Sequence, residues 1–146
     1  MANMTHTFHK FGIAFSYPET WSLDEEELAA GAAVTVTSPA GAFWTVAIHP
    51  ISVDPDQAST AVLDALRQEF EDAEYTDVVE PLADHAAVGY EVHFTCLDLT
   101  NTARVRSPQI AHTTYTIFCQ AEDREFERIG RVFEAMTTSL INGLLP

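Results

Sequence analysis

Positive charge is scarce in this chain. Seven Lys and Arg stand against 22 Asp and Glu in 146 residues, a formal net charge of −15, and Lys10 is the only lysine. A field of that sign repels phosphate backbones, so nucleic acid is excluded as an expected partner, and proteins with basic surfaces fit better. Cysteine is equally sparse. Cys96 and Cys119 both sit in apolar runs, Phe94-Thr95-Cys96-Leu97 and Ile117-Phe118-Cys119, with no CxxC spacing, which reads as two reduced thiols packed as small hydrophobes. Nowhere do 18 consecutive apolar residues occur, and Met1 to Lys10 lacks a basic start followed by an apolar stretch; the expectation is a cytoplasmic protein with no membrane association.

Catalytic signatures are missing too. Six glycines form neither GxGxxG nor GxxxxGK[ST], so a phosphate loop has no support. No GxSxG elbow occurs, and Ser16, Ser22, Ser38 and Ser52 fall at strand ends or turns. The histidines His6, His9, His49, His85, His93 and His112 include no i, i+2 strand pair and no i, i+4 helix pair, so ligand spacing for a metal is absent; no cofactor is expected.

What is present is a plan of strands and helices. With 47% hydrophobic residues and this length the chain reads as one domain, residues 1–146, able to bury roughly 70% of the surface of its unfolded form. In Phe11-Gly12-Ile13-Ala14-Phe15-Ser16-Tyr17-Pro18-Glu19-Thr20-Trp21, Ile13, Phe15 and Tyr17 share one face of an extended segment that Pro18 ends. Thr5 to His9 and Gly12 to Tyr17 are expected as strands about a Lys10-Phe11 turn, with Trp21 to Asp24 extended. Asp24-Glu25-Glu26-Glu27 reads as a solvated loop or helical turn. Ala33 to Thr37 and Phe43 to His49 form a hairpin about Ser38-Pro39-Ala40-Gly41.

Asp54-Pro55-Asp56 opens a helix, since Asp caps, Pro suits the first turn and acid favours the positive end of the dipole. Its stripe is Ala58, Ala61, Val62, Ala65, Leu66 and Phe70, and it is expected to run to about Asp72. Three extended runs follow, Tyr75 to Leu82, Ala86 to Leu99 and Ile110 to Ala121, the last two joined by a connection from Thr100 to Gln109. A final helix starts at Glu122-Asp123 and carries Phe126, Ile129, Phe133, Met136 and Leu140 on one side.

Strand parity sorts the side chains into two faces. Val34, Val36, Trp44, Val46, Ile48, Val88, Tyr90, Val92, Phe94 and Cys96 read as one apolar face, and Tyr115, Ile117 and Cys119 as the apolar side of the last strand. The complement is threonine-rich and semi-polar: Thr35, Thr37, Phe43, Thr45, Ala47 and His49, with Glu91, His93 and Thr95, and from the last strand His112, Thr114, Thr116 and Phe118. With a hairpin turn near Thr102 and Ala103, His93 would face His112 with Glu91 nearby, the one place where acid–base chemistry has candidates. Arg104-Val105-Arg106-Ser107-Pro108 is a basic spot read as a loop, with Arg104 and Arg106, together with Glu91, His93 and His112, as expected partner contacts.

The order of elements and the phrase Phe15-Ser16-Tyr17-Pro18-Glu19-Thr20-Trp21 resemble the PsbP-like superfamily, which includes the photosystem II extrinsic subunit and a Ran-binding nuclear import factor. The resemblance implies an α+β fold, an antiparallel sheet flanked by helices in an α/β/α sandwich, and roles in binding and scaffolding; bacterial relatives include chaperones that shield apolar segments of secreted effectors. It supplies no catalytic motif. The expected function is therefore a non-enzymatic binding, adaptor or chaperone-like domain with a protein partner, a homodimer being one arrangement open to it. The alternative is a small-ligand binder or enzyme with a sheet-lined pocket using Glu91, His93 and His112.

Overall fold

The computed structural model describes residues 4–144. It is an α+β fold: a two-stranded hairpin, β1 (Thr5–Lys10) and β2 (Ile13–Pro18), and one large antiparallel sheet with a helix on each side. The large sheet runs β3 (Ser22–Leu28), β4 (Gly31–Thr37), β5 (Phe43–Ile48), β10 (Thr113–Glu122), β8 (Leu99–Ser107), β7 (His85–Cys96) and β6 (Glu74–Leu82) from edge to edge. The two-residue β9 (Gln109–Ile110) pairs with β10. Helix α1 (Pro55–Glu69) lies on one side of the sheet and α2 (Asp123–Leu144), with the β1–β2 hairpin, on the other. Among the described residues no helix is long and apolar enough to cross a membrane.

Local chemistry sets the helix starts. Asp54 accepts from the Gln57 backbone N–H at 2.8 Å while the Gln57 side chain accepts from the Asp54 N–H at 3.2 Å, a capping box with Pro55 in the first turn. Glu122 accepts from the Glu125 N–H at 3.0 Å and so satisfies one orphan donor at the start of α2. The expected face of α2 is the buried one: Phe126, Phe133, Met136 and Leu140 enter a core with Phe8, Phe15, Trp21, Val34, Val36, Trp44 and Val46. Trp44 donates its indole N–H to Thr137 Oγ1 at 3.0 Å, and the Ser16 N–H donates to Ser139 Oγ at 2.9 Å, which ties sheet and hairpin to that helix.

The first hairpin turns at Phe11-Gly12, with φ 58 and 78 between paired Lys10 and Ile13, and not at Lys10-Phe11. Asp24 to Glu27 is neither loop nor helical turn but part of edge strand β3, paired with β4 through Asp24↔Thr35 and Glu26↔Ala33. Four carboxylates on an edge obstruct pairing with another sheet, a common protection of exposed edges. The stretch from Thr100 to Gln109 is no connection; it is mostly β8, in the middle of the sheet. The hairpin turn that precedes β8 is Leu97-Asp98, with φ 53 and 65, and not Thr102-Ala103, which lie inside the strand. Ala83-Asp84 and Ala111-His112 are two-residue turns of the same kind, with positive φ at both residues, a geometry usually given to Asn-Gly or Gly. Lacking those residues, they carry no turn signal.

The two sheet faces also differ from the expected ones. Cross-strand partners share a face, and one row runs Leu23, Val36, Trp44, Cys119, Arg104, Glu91 from β3 to β7. The adjacent row, on the opposite face, runs Asp24, Thr35, Thr45, Phe118, Val105, Tyr90. The apolar residues of β7 therefore lie opposite those of β4 and β5: Val92 and Phe94 meet Leu63 and Leu66 of α1, whereas Trp44 and Val46 face α2. Alternation carries the phase as far as β10, whose Ile117 and Cys119 lie beside Val46 and Trp44, and is lost at β8, which is covered on both sides and buried or half-buried at every position from Asn101 to Ser107.

Finally, α1 is shorter than expected and rotated. It ends at Glu69, and its buried residues are Ala58, Ser59, Leu63 and Leu66, leaving Ala61 and Ala65 exposed.

Candidate functional site

Two concave regions flank the sheet, one under each helix. Under α2 the sheet presents Glu80, Glu91, Arg104 and Arg106 to a cavity of about 450 Å³ closed by Phe133, Glu134 and Thr137. Arg106 is buried in strand β8: its Nε donates to Glu80 Oε1 at 2.6 Å, and its Nη1 to the carbonyls of Val105 at 2.9 Å and Tyr90 at 3.1 Å. Its Nη2 lies 3.9 Å from Glu91 Oε2. Arg104 Nε donates to Glu91 Oε1 at 3.3 Å, and its guanidinium stacks 4.6 Å over the Phe126 ring. Each positive charge has a carboxylate beside it, so the cluster links β6, β7 and β8 and offers an incoming anion little. The Cys119 thiol lines this cavity, but burial pushes its pKa up to about 12, which leaves it protonated and unreactive.

The predicted residues do not converge. Glu91 joins Arg104 and Arg106, two positions expected in a loop and found in a central strand. His93 points to the same side but engages β8 and α2: its Nδ1 is 3.0 Å from Thr102 Oγ1, which donates to Asp123 Oδ1 at 2.7 Å. His112 is exposed in the Ala111-His112 turn. It cannot face His93, because β8 lies between β7 and β10. Neither histidine lines the cavity that holds Glu91, which removes the geometry on which the Glu91–His93–His112 pocket depended.

On the other side, α1 covers β7, β8 and β10 and stops short of β5. A groove of about 540 Å³ remains between them, floored by Phe43, Ala47, His49, Thr116 and Phe118 and walled by Ala58, Ala61, Val62 and Ala65. Phe43 and Phe118 meet at 5.7 Å between ring centroids and form its apolar end. Beyond the groove the same face of β4 and β5 continues as half-buried Ala33, Thr35, Thr37 and Thr45, with Thr35 and Thr45 hydrogen-bonded to each other at 2.9 Å. That mutual bond satisfies both hydroxyls in part and makes the floor less polar than its threonine content implies.

A hydroxyl relay ends in this groove. Ser59 Oγ donates to Ser107 Oγ at 2.7 Å and lies 3.2 Å from the Val88 carbonyl; Ser107 Oγ is 3.2 Å from Thr116 Oγ1, and that is 2.7 Å from His49 Nε2. Ser59 Oγ is the donor to Ser107, and His49 joins the chain through Nε2, as donor or acceptor according to its tautomer. Burial holds the His49 pKa below the usual histidine value, in keeping with a neutral imidazole. The relay fixes α1 on the sheet and leaves His49 as the titratable group of an otherwise apolar floor.

The sequence signals for this region were present but assigned elsewhere. The threonine-rich face is legible in the strand alternation, and Ala61 and Ala65 belong to the apolar stripe of α1. Their expected cover was the sheet itself, whereas the rotation of α1 turns them toward the opening.

No protein-family model and no curated protein matches the sequence. Solved structures do. Cyanobacterial PsbP (CyanoP) from Synechocystis is similar with a TM-score of 0.62 at 13% identity, over 95% of this chain and 92% of that one. A protein of unknown function from Pseudomonas aeruginosa, PA94, is similar with a TM-score of 0.54 at 11% identity, over 97% and 96%. LpqN, involved in cell envelope biogenesis of Mycobacterium tuberculosis, aligns over 94% and 83% at 12% identity with a TM-score of 0.46. At such identities it is the fold that is shared, and the fold is PsbP-like.

Proposed function

We propose that this PsbP-like chain is a non-catalytic binding domain, an adaptor or chaperone-like module that holds a segment of a protein partner on the open side of its sheet. The observation that carries this reading is the incomplete cover of that side: among the described residues α1 shields β7, β8 and β10, while β3, β4 and β5 carry no helix and their face continues, exposed on β3 and half-buried on β4 and β5, beside an apolar groove. Concave, mostly apolar surfaces with a few polar groups are where proteins receive ligands. The fold relationship agrees with a binding role, and a cytoplasmic location is part of the same proposal. The ion-paired cavity under α2 acts in this reading as structure.

Site-specific photo-crosslinking tests it. A photoreactive residue at position 45 or 61 is expected to capture a discrete protein partner in native lysate, and the same residue at position 128, on the exposed side of α2, is not. Capture from position 128 alone would move the interface to α2, and a small substrate turned over by the purified protein would refute the non-catalytic reading.

A further inference from the structure

We infer that the segment received by this surface is a basic amphipathic helix, lying beside α1 over β4 and β5 with its cationic flank toward strand β3. The inference rests on the binding role proposed above and adds the chemistry of the occupant.

Three observations carry it. The first is width. The bare part of the face is three strands, β3 to β5, about 10 Å between the outer two at a spacing of about 4.8 Å, and a helix with its side chains is about 10–12 Å across. The space beside α1 takes one helix. The second is the wall. Ala61 and Ala65, exposed and one turn apart on α1, present methyl groups and nothing longer, so a second helix approaches closely. The floor beneath is short at Ala33, Thr35, Thr45 and Ala47, with the Phe43 and Phe118 rings at its apolar end.

The third observation is charge, which decides the partner. On this face the far rim is Asp24 and Glu26 of β3, in register with Thr35 and Ala33, and the near rim includes Glu69 of α1. The seven basic side chains are almost all elsewhere. Lys10 pairs with Glu25, and Arg104 and Arg106 face α2. Arg124 and Arg128 pair with carboxylates at the start of α2, and Arg131 lines a groove between α2 and the β1–β2 hairpin. Arg67 alone belongs to α1, and it sits over Tyr75 toward the β6 edge, away from the groove. An apolar floor between acidic rims fits an occupant with an apolar stripe and a Lys- or Arg-bearing flank. A second copy of this chain fits badly, because self-association through this face would set Asp24 and Glu26 against further acid in a molecule of net charge −15.

The test is selection from a displayed library of helices of 15 residues, the length of α1, with a fixed Leu/Ala stripe and flanks drawn from Lys, Glu, Gln and Ser. Selection is run on the intact protein and on two variants, Asp24→Lys/Glu26→Lys and Thr45→Arg/Ala61→Arg, all shown by thermal melts to be folded. The intact protein is expected to enrich Lys on one flank. A synthetic representative should lose about tenfold or more in affinity on the Asp24→Lys/Glu26→Lys variant. It should also weaken as ionic strength rises from about 0.01 to 0.15 M, which shortens the screening length from about 30 to 8 Å. The charge-reversed variant should enrich Glu instead, and Thr45→Arg/Ala61→Arg should bind no selected helix. Enrichment indifferent to flank charge, yet lost on Thr45→Arg/Ala61→Arg, would overturn the basic chemistry and leave the binding surface standing. Equal enrichment on that blocked variant, or none on the intact protein, would overturn both. A concentration-dependent dimer abolished by Thr45→Arg/Ala61→Arg would assign the face to a second copy and overturn the inference.

Discussion

Replacing Arg106 with methionine tests whether the charged cluster under α2 is structure or surface. The side chain is only 10% exposed and makes four polar contacts: Glu80 at 2.6 Å, the carbonyls of Val105 and Tyr90, and the longer approach to Glu91. Breaking a fully buried pair costs about 3–5 kcal/mol, but Glu80 is 45% exposed and regains water when its partner leaves, so the ion pair itself is worth about 1 kcal/mol. The two carbonyl bonds contribute about 1 kcal/mol each, and methionine refills part of the volume. The expected loss for Arg106→Met is about 3 kcal/mol, against about 1 kcal/mol or less for Arg104→Met, whose side chain is 37% exposed with one bond at 3.3 Å. A native domain has about 5–15 kcal/mol of stability, so both variants remain folded and measurable. Urea unfolding with an unchanged m-value is the assay. Losses that are equal in the two variants and both below about 1 kcal/mol would refute the buried-cluster reasoning and return Arg106 to the exposed loop that its sequence context implies.

Phe133→Ala removes a ring that is 3% exposed and in edge contact with Trp21 and Phe126, and should cost about 3–5 kcal/mol by denaturation; a loss under about 1 kcal/mol would mean that the face of α2 is misassigned. His49 makes stability depend on pH in a fixed direction. Its native pKa lies below the unfolded value of 6.5, so its contribution is complete above that pH, falls as pH drops through it because only the unfolded chain gains the proton, and levels off below the native pKa. Urea midpoints of the intact protein minus those of His49→Gln should therefore decline between about pH 7.5 and 5.5, and a flat difference would show the ring to be as protonatable in the native state as in the unfolded one. Leu97→Asn/Asp98→Gly places residues suited to positive φ where the β7–β8 turn has φ 53 and 65, and should raise stability by about 1 kcal/mol; a decrease would show that the 91% exposed Leu97 stabilises the native state by a contact the turn geometry does not reveal.

Sequence alone was enough wherever a residue's neighbours along the chain are also the ones that determine its conformation. Asp54 and Pro55 specify where α1 begins, the stripe from Phe126 to Leu140 specifies the buried side of α2, and the alternation in Val34–Val36 and Trp44–Val46 specifies one hairpin and its inward face. The order of these elements carried the PsbP-like resemblance. Tertiary structure decided everything that depends on which strands become neighbours. Leu97-Asp98 turns the chain without glycine or asparagine because the long pairing of β7 with β8 holds it there, and so β8 could pass for a loop. The phase of the two faces is lost at β8, whose side chains from Asn101 to Ser107 are buried or half-buried on both sides, which is why the sequence does not show that Glu91 and Arg104 share a row with Trp44 and not with Thr45. The rotation of α1 was likewise a choice between two apolar stripes, made by Val92 and Phe94 rising from the sheet to meet Leu63 and Leu66. That choice left Ala61 and Ala65 facing the groove, and with it the candidate site: a surface defined by what α1 does not cover, which no local pattern in the chain can encode.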